Sequence, residues 1–171
     1  MVDAILDLLI AGETRPTAQQ VSDRSGVSMR TIFRLFDDMT SLHQAAIERQ
    51  AERVLALMVP LPDTGPLPLR VEAVVASRAK VFESISPVRR AAVRLAATSP
   101  TIATELGRAA ALFRAQAADA LRPELDAAPG ALDAVDLVTS WEAWERLRTV
   151  QGLTVAQAGE VVRRTLTALL S

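Results

Sequence analysis

The stretch that most constrains this chain is TAQQVSDRSGVSMRTIFRLF, residues 17–36. It encodes two short helices joined by a tight turn. Thr17, followed three residues later by Gln20, forms a capping box at the start of the first helix. Gly26, within Ser25-Gly26-Val27, supplies the permissive backbone that a sharp helix-to-helix turn requires. Ser28 is placed to cap the second helix, which runs from residue 29 to about residue 35. Helical spacing turns Val27, Ile32 and Phe36 inward and leaves Met29, Arg30, Thr31 and Arg34 outside. A short helix that presents two arginines from a supporting helix is the form in which helix-turn-helix modules enter a major groove.

The rest of the chain reads as helical throughout. Residues 2–11 carry an apolar stripe of Ile5, Leu6, Leu9 and Ile10, ended by Gly12. Asp37 or Asp38 caps a long helix over 39–58, with Leu42, Ala45, Ala46, Val54 and Leu57 at helical spacing. Residues 60–68 hold four prolines and a glycine and predict a loop at a domain boundary. The expected division is a DNA-binding domain over 1–47 and a helical domain over 48–171. A helix is expected over 69–85. Ser86-Pro87 and Ser99-Pro100 each pair an N-cap with a first-turn proline, predicting helices over 87–97 and 100–122. Residues 123–130 predict a break, and the last helices are expected over 131–150 and 154–170. The last is opened by a second capping box, Thr154 and Gln157.

These last two helices are apolar over most of their girth, which marks helices covered on two sides. Leu132, Val135, Leu147, Val155, Val162, Leu166 and Leu169 are the residues expected to meet a second subunit, with additional internal core as the other reading.

Composition narrows the function classes. The chain has no cysteine, which removes disulfides, thiol nucleophiles and cysteine zinc sites together. No run of about 18 uninterrupted apolar residues predicts a membrane span. The opening MVDAILDLLIAG is acidic and lacks the basic region and cleavage site of a secretory signal, so a cytoplasmic location is expected. His43 stands alone without partners at metal-ligand spacing and reads as structural, so no metal is expected. No nucleophile–base pair or phosphate loop appears, so neither an enzyme nor a cofactor is expected. The net charge is −1, and residues 1–53 hold six arginines against eight acidic residues. Affinity for duplex DNA rests on neutralised phosphates. Positive charge must therefore be concentrated locally or doubled by dimerisation.

Arg30 and Arg34 suit base readout, because arginine bonds guanine N7 and O6 together. Met29 suits a thymine methyl or stands as an exposed hydrophobe. Thr17, Ala18, Gln19, Ser28, Thr31 and Phe33 complete the expected DNA-facing set, with Phe33 read first as packed at the module's edge and its backbone contact as secondary. Phe82, Phe113, Trp141 and Trp144 suit the lining of an effector cavity, or core packing alone. Arg89, Arg90 and Arg94 read as a solvated face, with contact to an acidic ligand as the other reading.

Residues 5–47 resemble the TetR family of bacterial transcriptional regulators. The string TAQQVSDRSGVSMRTIFRLF is similar to the family pattern T-x-x-x-[IV]-A-x-x-A-G-V-S-x-x-T-[LIV]-[YF]-x-x-F, with Ser22 and Ser25 at alanine positions. RTIFRLFDDM resembles a subgroup motif, and SWEAWERLRTVQGLT is similar to that subgroup's eighth helix. The resemblance implies an all-α, nine-helix homodimer. It implies a ligand-responsive repressor that binds a pseudo-palindromic operator through its first three helices. A small-molecule effector would bind in the remainder, and dimerisation would use the last two helices. Relatives often grip phosphate with Tyr and His near the end of the recognition helix and Lys at the start of the fourth helix. Here those positions hold Phe33, Leu35 and Met39. The same departures motivate a second expectation, a helical dimer of this fold that has lost DNA binding and holds a small molecule or a protein.

Overall fold

The computed structural model describes residues 1–128 and 130–171, and among these it contains ten α-helices, a π-helical turn and no strand. The helices are α1 (Val2–Ile10), α2 (Ala18–Ser25), α3 (Met29–Leu35), α4 (Met39–Leu57), α5 (Leu67–Ala96), α6 (Pro100–Ala120), α7 (Arg122–Ala127), α8 (Ala131–Val138), α9 (Trp141–Glu145) and α10 (Val155–Leu170). The π-helical turn, Arg146–Val150, follows α9. Among the described residues no helix is long and apolar enough to cross a membrane.

The all-α expectation holds, but several helix boundaries differ. Ser86-Pro87 does not open a helix, because Pro87 lies inside the continuous α5. A proline there removes one backbone bond. The helix runs on because Ile85, Val88, Ala91 and Ala92 around it are buried. The break expected over 123–130 holds the short helix α7, whose first turn accommodates Pro123; Pro129 lies outside the described residues. The helix expected over 131–150 is interrupted at Thr139 and Ser140. The Thr139 hydroxyl turns back to the Val135 carbonyl (2.8 Å). Ser140 caps α9 by accepting from the Ala143 N–H (3.1 Å). The apolar residues expected along one helix are therefore divided between α8, α9 and the π-helical turn. Trp141 and Trp144 are buried, whereas Leu137 is 71% exposed.

The chain forms two compact units, neither of which is a single stretch of sequence. The first comprises Met1–Leu57 and Ile85–Gly107. Its core gathers Ile5, Leu6 and Leu9 of α1, Val21 of α2, Ile32 of α3, Leu42 and Ala46 of α4, and Val88 and Ala91 of α5. Val27 and Phe36 pack against this core, as the spacing predicts. Ile10, expected in the α1 stripe, is 53% exposed.

The second unit comprises Met58–Ser84 and Arg108–Ser171. In it α10 packs against α8, and Gly159 lets α10 approach α5 closely, since a Cβ there would lie 3.3 Å from Val75 Cγ1. Arg70 is only 3% exposed, yet its charge is compensated. Its guanidinium clasps both oxygens of Glu124 in α7, with Nη1 2.7 Å from Oε2, and also donates to the Ala120 carbonyl (2.9 Å). This pairing holds the Glu124 carboxyl below its ordinary range and the Arg70 guanidinium above its own.

The sign of the resulting pH dependence follows from the lowered carboxyl. The pair contributes fully above the ordinary glutamate range, about pH 4.5, and its contribution is lost as pH falls through the folded value. Glu124→Ala should strand a buried guanidinium and cost about 3 kcal/mol near neutral pH. It should also flatten the loss of stability below about pH 4.5. Urea unfolding of both proteins across pH 3–7 checks this, and a parallel fall in the variant would contradict it.

Candidate nucleic-acid interface and candidate ligand site

The turn between α2 and α3 is built from short-range bonds. The Thr17 hydroxyl accepts from the Gln20 N–H (3.2 Å), and the Gln20 side chain accepts from the Thr17 N–H (2.8 Å), closing the capping box. The Gln20 amide also donates to Glu13 (2.9 Å), which further accepts from the Arg15 N–H (3.0 Å). Those two bonds, the one from Arg15 foremost, hold the Glu13 carboxyl below its ordinary range. Gly26 ends α2 with φ of +69°, in the left-handed region that glycine enters without steric cost. Ser28 caps α3 by accepting from the Thr31 N–H (3.3 Å), and the two hydroxyls lie 3.1 Å apart.

Helix α3 buries only Ile32. Met29, Arg30, Phe33 and Arg34 are exposed, and Thr31 is half-buried beside Ser28. Among the described residues no ion pair or hydrogen bond engages the guanidinium of Arg30 or Arg34. Of the rest of the expected DNA-facing set, Thr17 is exposed but its hydroxyl serves the cap. Gln19 is exposed and donates to Asp23 (2.7 Å), and Ala18 is half-buried. The exposed acids after α3 have a structural explanation in part. Asp38, rather than Asp37, caps α4 by accepting from the Ser41 N–H (2.8 Å). Leu35 is 59% exposed and Met39 packs against the core. The His43 ring Nδ1 lies 2.6 Å from the Met39 carbonyl of its own helix. Among the described residues no group of three or more His, Cys, Asp or Glu is arranged to hold a metal.

In the second unit the structure brings together three of the four residues expected to line an effector cavity. Phe82 and Phe113 meet edge to face with centroids 5.2 Å apart, and Phe82 lies 6.4 Å from Trp144. All three are buried, as is Trp141. Trp144 donates its indole N–H to Glu83 (2.8 Å), and Arg148 clasps the same carboxylate (2.7 and 3.1 Å). That contact holds the Arg148 guanidinium above its ordinary range.

Arg78 adjoins this cluster and is 1% exposed. It donates from Nη1 to the Gln116 side-chain oxygen (2.6 Å) and from Nη2 to the Phe113 carbonyl (2.7 Å), and lies 4.9 Å from the Phe113 ring centroid. Its Nε is buried without a partner. Burial lowers the guanidinium to about 10, opposed only by the more distant charge of Asp136. Arg78 is not among the expected site residues, although it sits on the apolar spacing of Val71, Val74, Val75, Val81, Phe82 and Ile85. An arginine on such a stripe is the available signal.

Two further expectations change. Arg89, assigned to a solvated face, is 7% exposed, because its side of α5 also carries the buried Ile85 and Ala92. Arg94 is exposed and donates to the Thr14 carbonyl (2.9 Å). Arg90 and Arg94, with Pro87, Leu9 and residues of the α1–α2 turn, line a cleft of about 130 Å³ in the first unit. That is small against the roughly 300–1,000 Å³ of ligand pockets. Of the seven residues expected to meet a second subunit, Val135, Leu147, Val162 and Leu166 are instead covered by the chain's own helices. Leu132 is half-buried, and Val155 and Leu169 are exposed. Comparison with family models, with curated protein sequences and with solved structures finds no match to this chain.

Ile32→Ala should cost about 3 kcal/mol in chemical unfolding, since it empties the only buried position of α3. Arg78→Met should be neutral or stabilising by about 1–2 kcal/mol, because a buried charge matched only by neutral acceptors is replaced by an apolar side chain of similar reach. A destabilisation of Arg78→Met as large as that of Ile32→Ala would show that Arg78 is a structural strut.

Proposed function

We propose that this chain is a DNA-binding transcriptional regulator of the TetR type, acting as a homodimer and releasing its operator when a small molecule binds. One observation carries the reading. A capped, glycine-turned pair of helices presents two unengaged arginines, Arg30 and Arg34, on the outward face of a helix anchored by Ile32. Two free guanidiniums on an exposed short helix suit guanine edges in a major groove. The paired Ser28 and Thr31 hydroxyls at the α3 N-terminus suit a phosphate.

Two reading heads give the positive charge that one lacks, and they require a pairing surface. Val155, Val161 and Leu169 on α10, Leu137 on α8 and Val150 on the π-helical turn are large apolar residues left exposed on the last helices. A second copy covering them accounts for that exposure. An effector bound in the helical second unit would shift the dimer away from a head spacing of roughly 34–36 Å, one helical turn of DNA. The exposed Asp37 and the phosphate-inert Phe33 and Leu35 favour a second reading, the same dimer without DNA binding.

Fluorescence anisotropy against the intergenic DNA beside its own gene separates the two. Salt-sensitive, sequence-selective binding is expected. Arg30→Ala and Arg34→Ala should each lower discrimination by about 1–3 kcal/mol while leaving unfolding within about 0.5 kcal/mol. If neither substitution alters sequence preference, α3 does not read DNA. Val161→Asp with Leu169→Asp should convert the dimer to monomer in sedimentation, and an unchanged mass would remove this face as the interface.

A further inference from the structure

We propose that Arg78 anchors the acidic group of a small apolar carboxylic acid, whose head group takes the place of the Gln116 side-chain oxygen on the guanidinium. This names the effector class of the regulator proposed above and so rests on that reading. Buried guanidiniums are ordinarily matched by a carboxylate in bidentate geometry. Arg70 of the same helix has that match in Glu124. Arg78, more deeply buried, has only neutral acceptors, the Gln116 amide and the Phe113 carbonyl, and its Nε has none. The nearby carboxylate of Asp136 is engaged elsewhere, by Arg114 (3.1 Å).

Gln116 has the properties of a stand-in for a ligand. Its oxygen meets Nη1 at 2.6 Å, where a carboxylate oxygen would sit. The side chain is half-buried, and its amide N–H donates to the carbonyl of Val59, a residue 58% exposed in the segment between α4 and α5. Swung outward, the amide exchanges both bonds for water. The vacated position then gives an oxyanion access to Nη1, and a small shift of the guanidinium brings in the unused Nε. One guanidinium matches one carboxylate, so the ligand is a monoacid. The Phe113 ring beneath the guanidinium supplies an apolar wall, so the body of the acid is aromatic or aliphatic.

The test titrates the whole chain with benzoate and with its neutral analogue benzamide, following tryptophan fluorescence and the thermal midpoint. Benzoate should give a saturable response and benzamide one at least about tenfold weaker, the loss expected when a charged contact is removed. Arg78→Met should weaken benzoate about tenfold or more while retaining its helical circular dichroism. Gln116→Ala, which leaves Arg78 in place and clears the competing oxygen, should strengthen it several-fold. Equal responses to acid and amide, benzoate binding within about twofold of wild type in Arg78→Met, or no saturable benzoate binding in either wild type or Gln116→Ala would each overturn the proposal. Anisotropy with operator DNA runs in parallel. DNA binding without benzoate binding rejects the anchor alone, and benzoate binding without DNA binding rejects the regulatory reading alone.

Discussion

What α3 can offer a partner depends on the burial of one side chain, Ile32. A seven-residue helix is far below the length at which helices persist in water, so α3 exists only because the first unit holds it. Ile32 is 1% exposed among Ile5 and Leu6 of α1, Val21 of α2 and Leu42 of α4. The Ser28 cap fixes where α3 starts and Gly26 fixes the angle at which the chain enters it. The outward residues are thereby presented in a set direction without contributing to the packing. A surface of this kind can change its side chains freely while its backbone stays in register, which is the property a reading head needs.

The same logic explains which parts of the fold were legible in the sequence. The capping boxes at Thr17/Gln20 and Thr154/Gln157, the Ser28 cap and the left-handed Gly26 were all legible. Each is decided within four residues by a hydrogen bond or a backbone angle, so local sequence contains the whole cause. Pro87 was not legible in the same way. Its local preference is to open a helix, and that preference loses to the buried Ile85, Val88, Ala91 and Ala92 on either side of it. The interruption at Thr139 and Ser140 is the reverse case. There an apolar pattern suggests continuity, while two hydroxyls take backbone bonds and end one helix and cap the next.

Charged residues were the least legible part of both units. Arginine in a sequence reads as surface, yet Arg70, Arg78 and Arg89 are all buried. A long aliphatic stem lets an arginine occupy an apolar stripe, and only tertiary structure decides where its head group arrives. For the candidate DNA-facing set the sequence carried more, because exposure on a short helix follows from helical spacing once the inward residue is known. For the aromatic cluster it carried less. The approach of Phe82, Phe113 and Trp144 joins α5, α6 and α9, and no local pattern encodes it.

Arg70 and Arg78 lie on one helix and in one unit, and their difference bears on what the second unit is built to do. Both guanidiniums are removed from water, so both incur the desolvation cost of a buried cation. At Arg70 a carboxylate and two backbone carbonyls, of Gly65 and Ala120, offset that cost, and the guanidinium is held above its ordinary range. At Arg78 an amide and a carbonyl offset it only in part, and burial draws the guanidinium down to about 10. A core that needed only to be filled is better served at position 78 by an uncharged side chain of similar volume. Retaining a cation there keeps a standing preference for negative charge at one point beside the aromatic cluster. In the proposed anchoring, an acid that satisfies it would stabilise a form of the unit with Gln116 moved aside, and would thereby couple occupancy of the core to the segment that Gln116 holds through Val59.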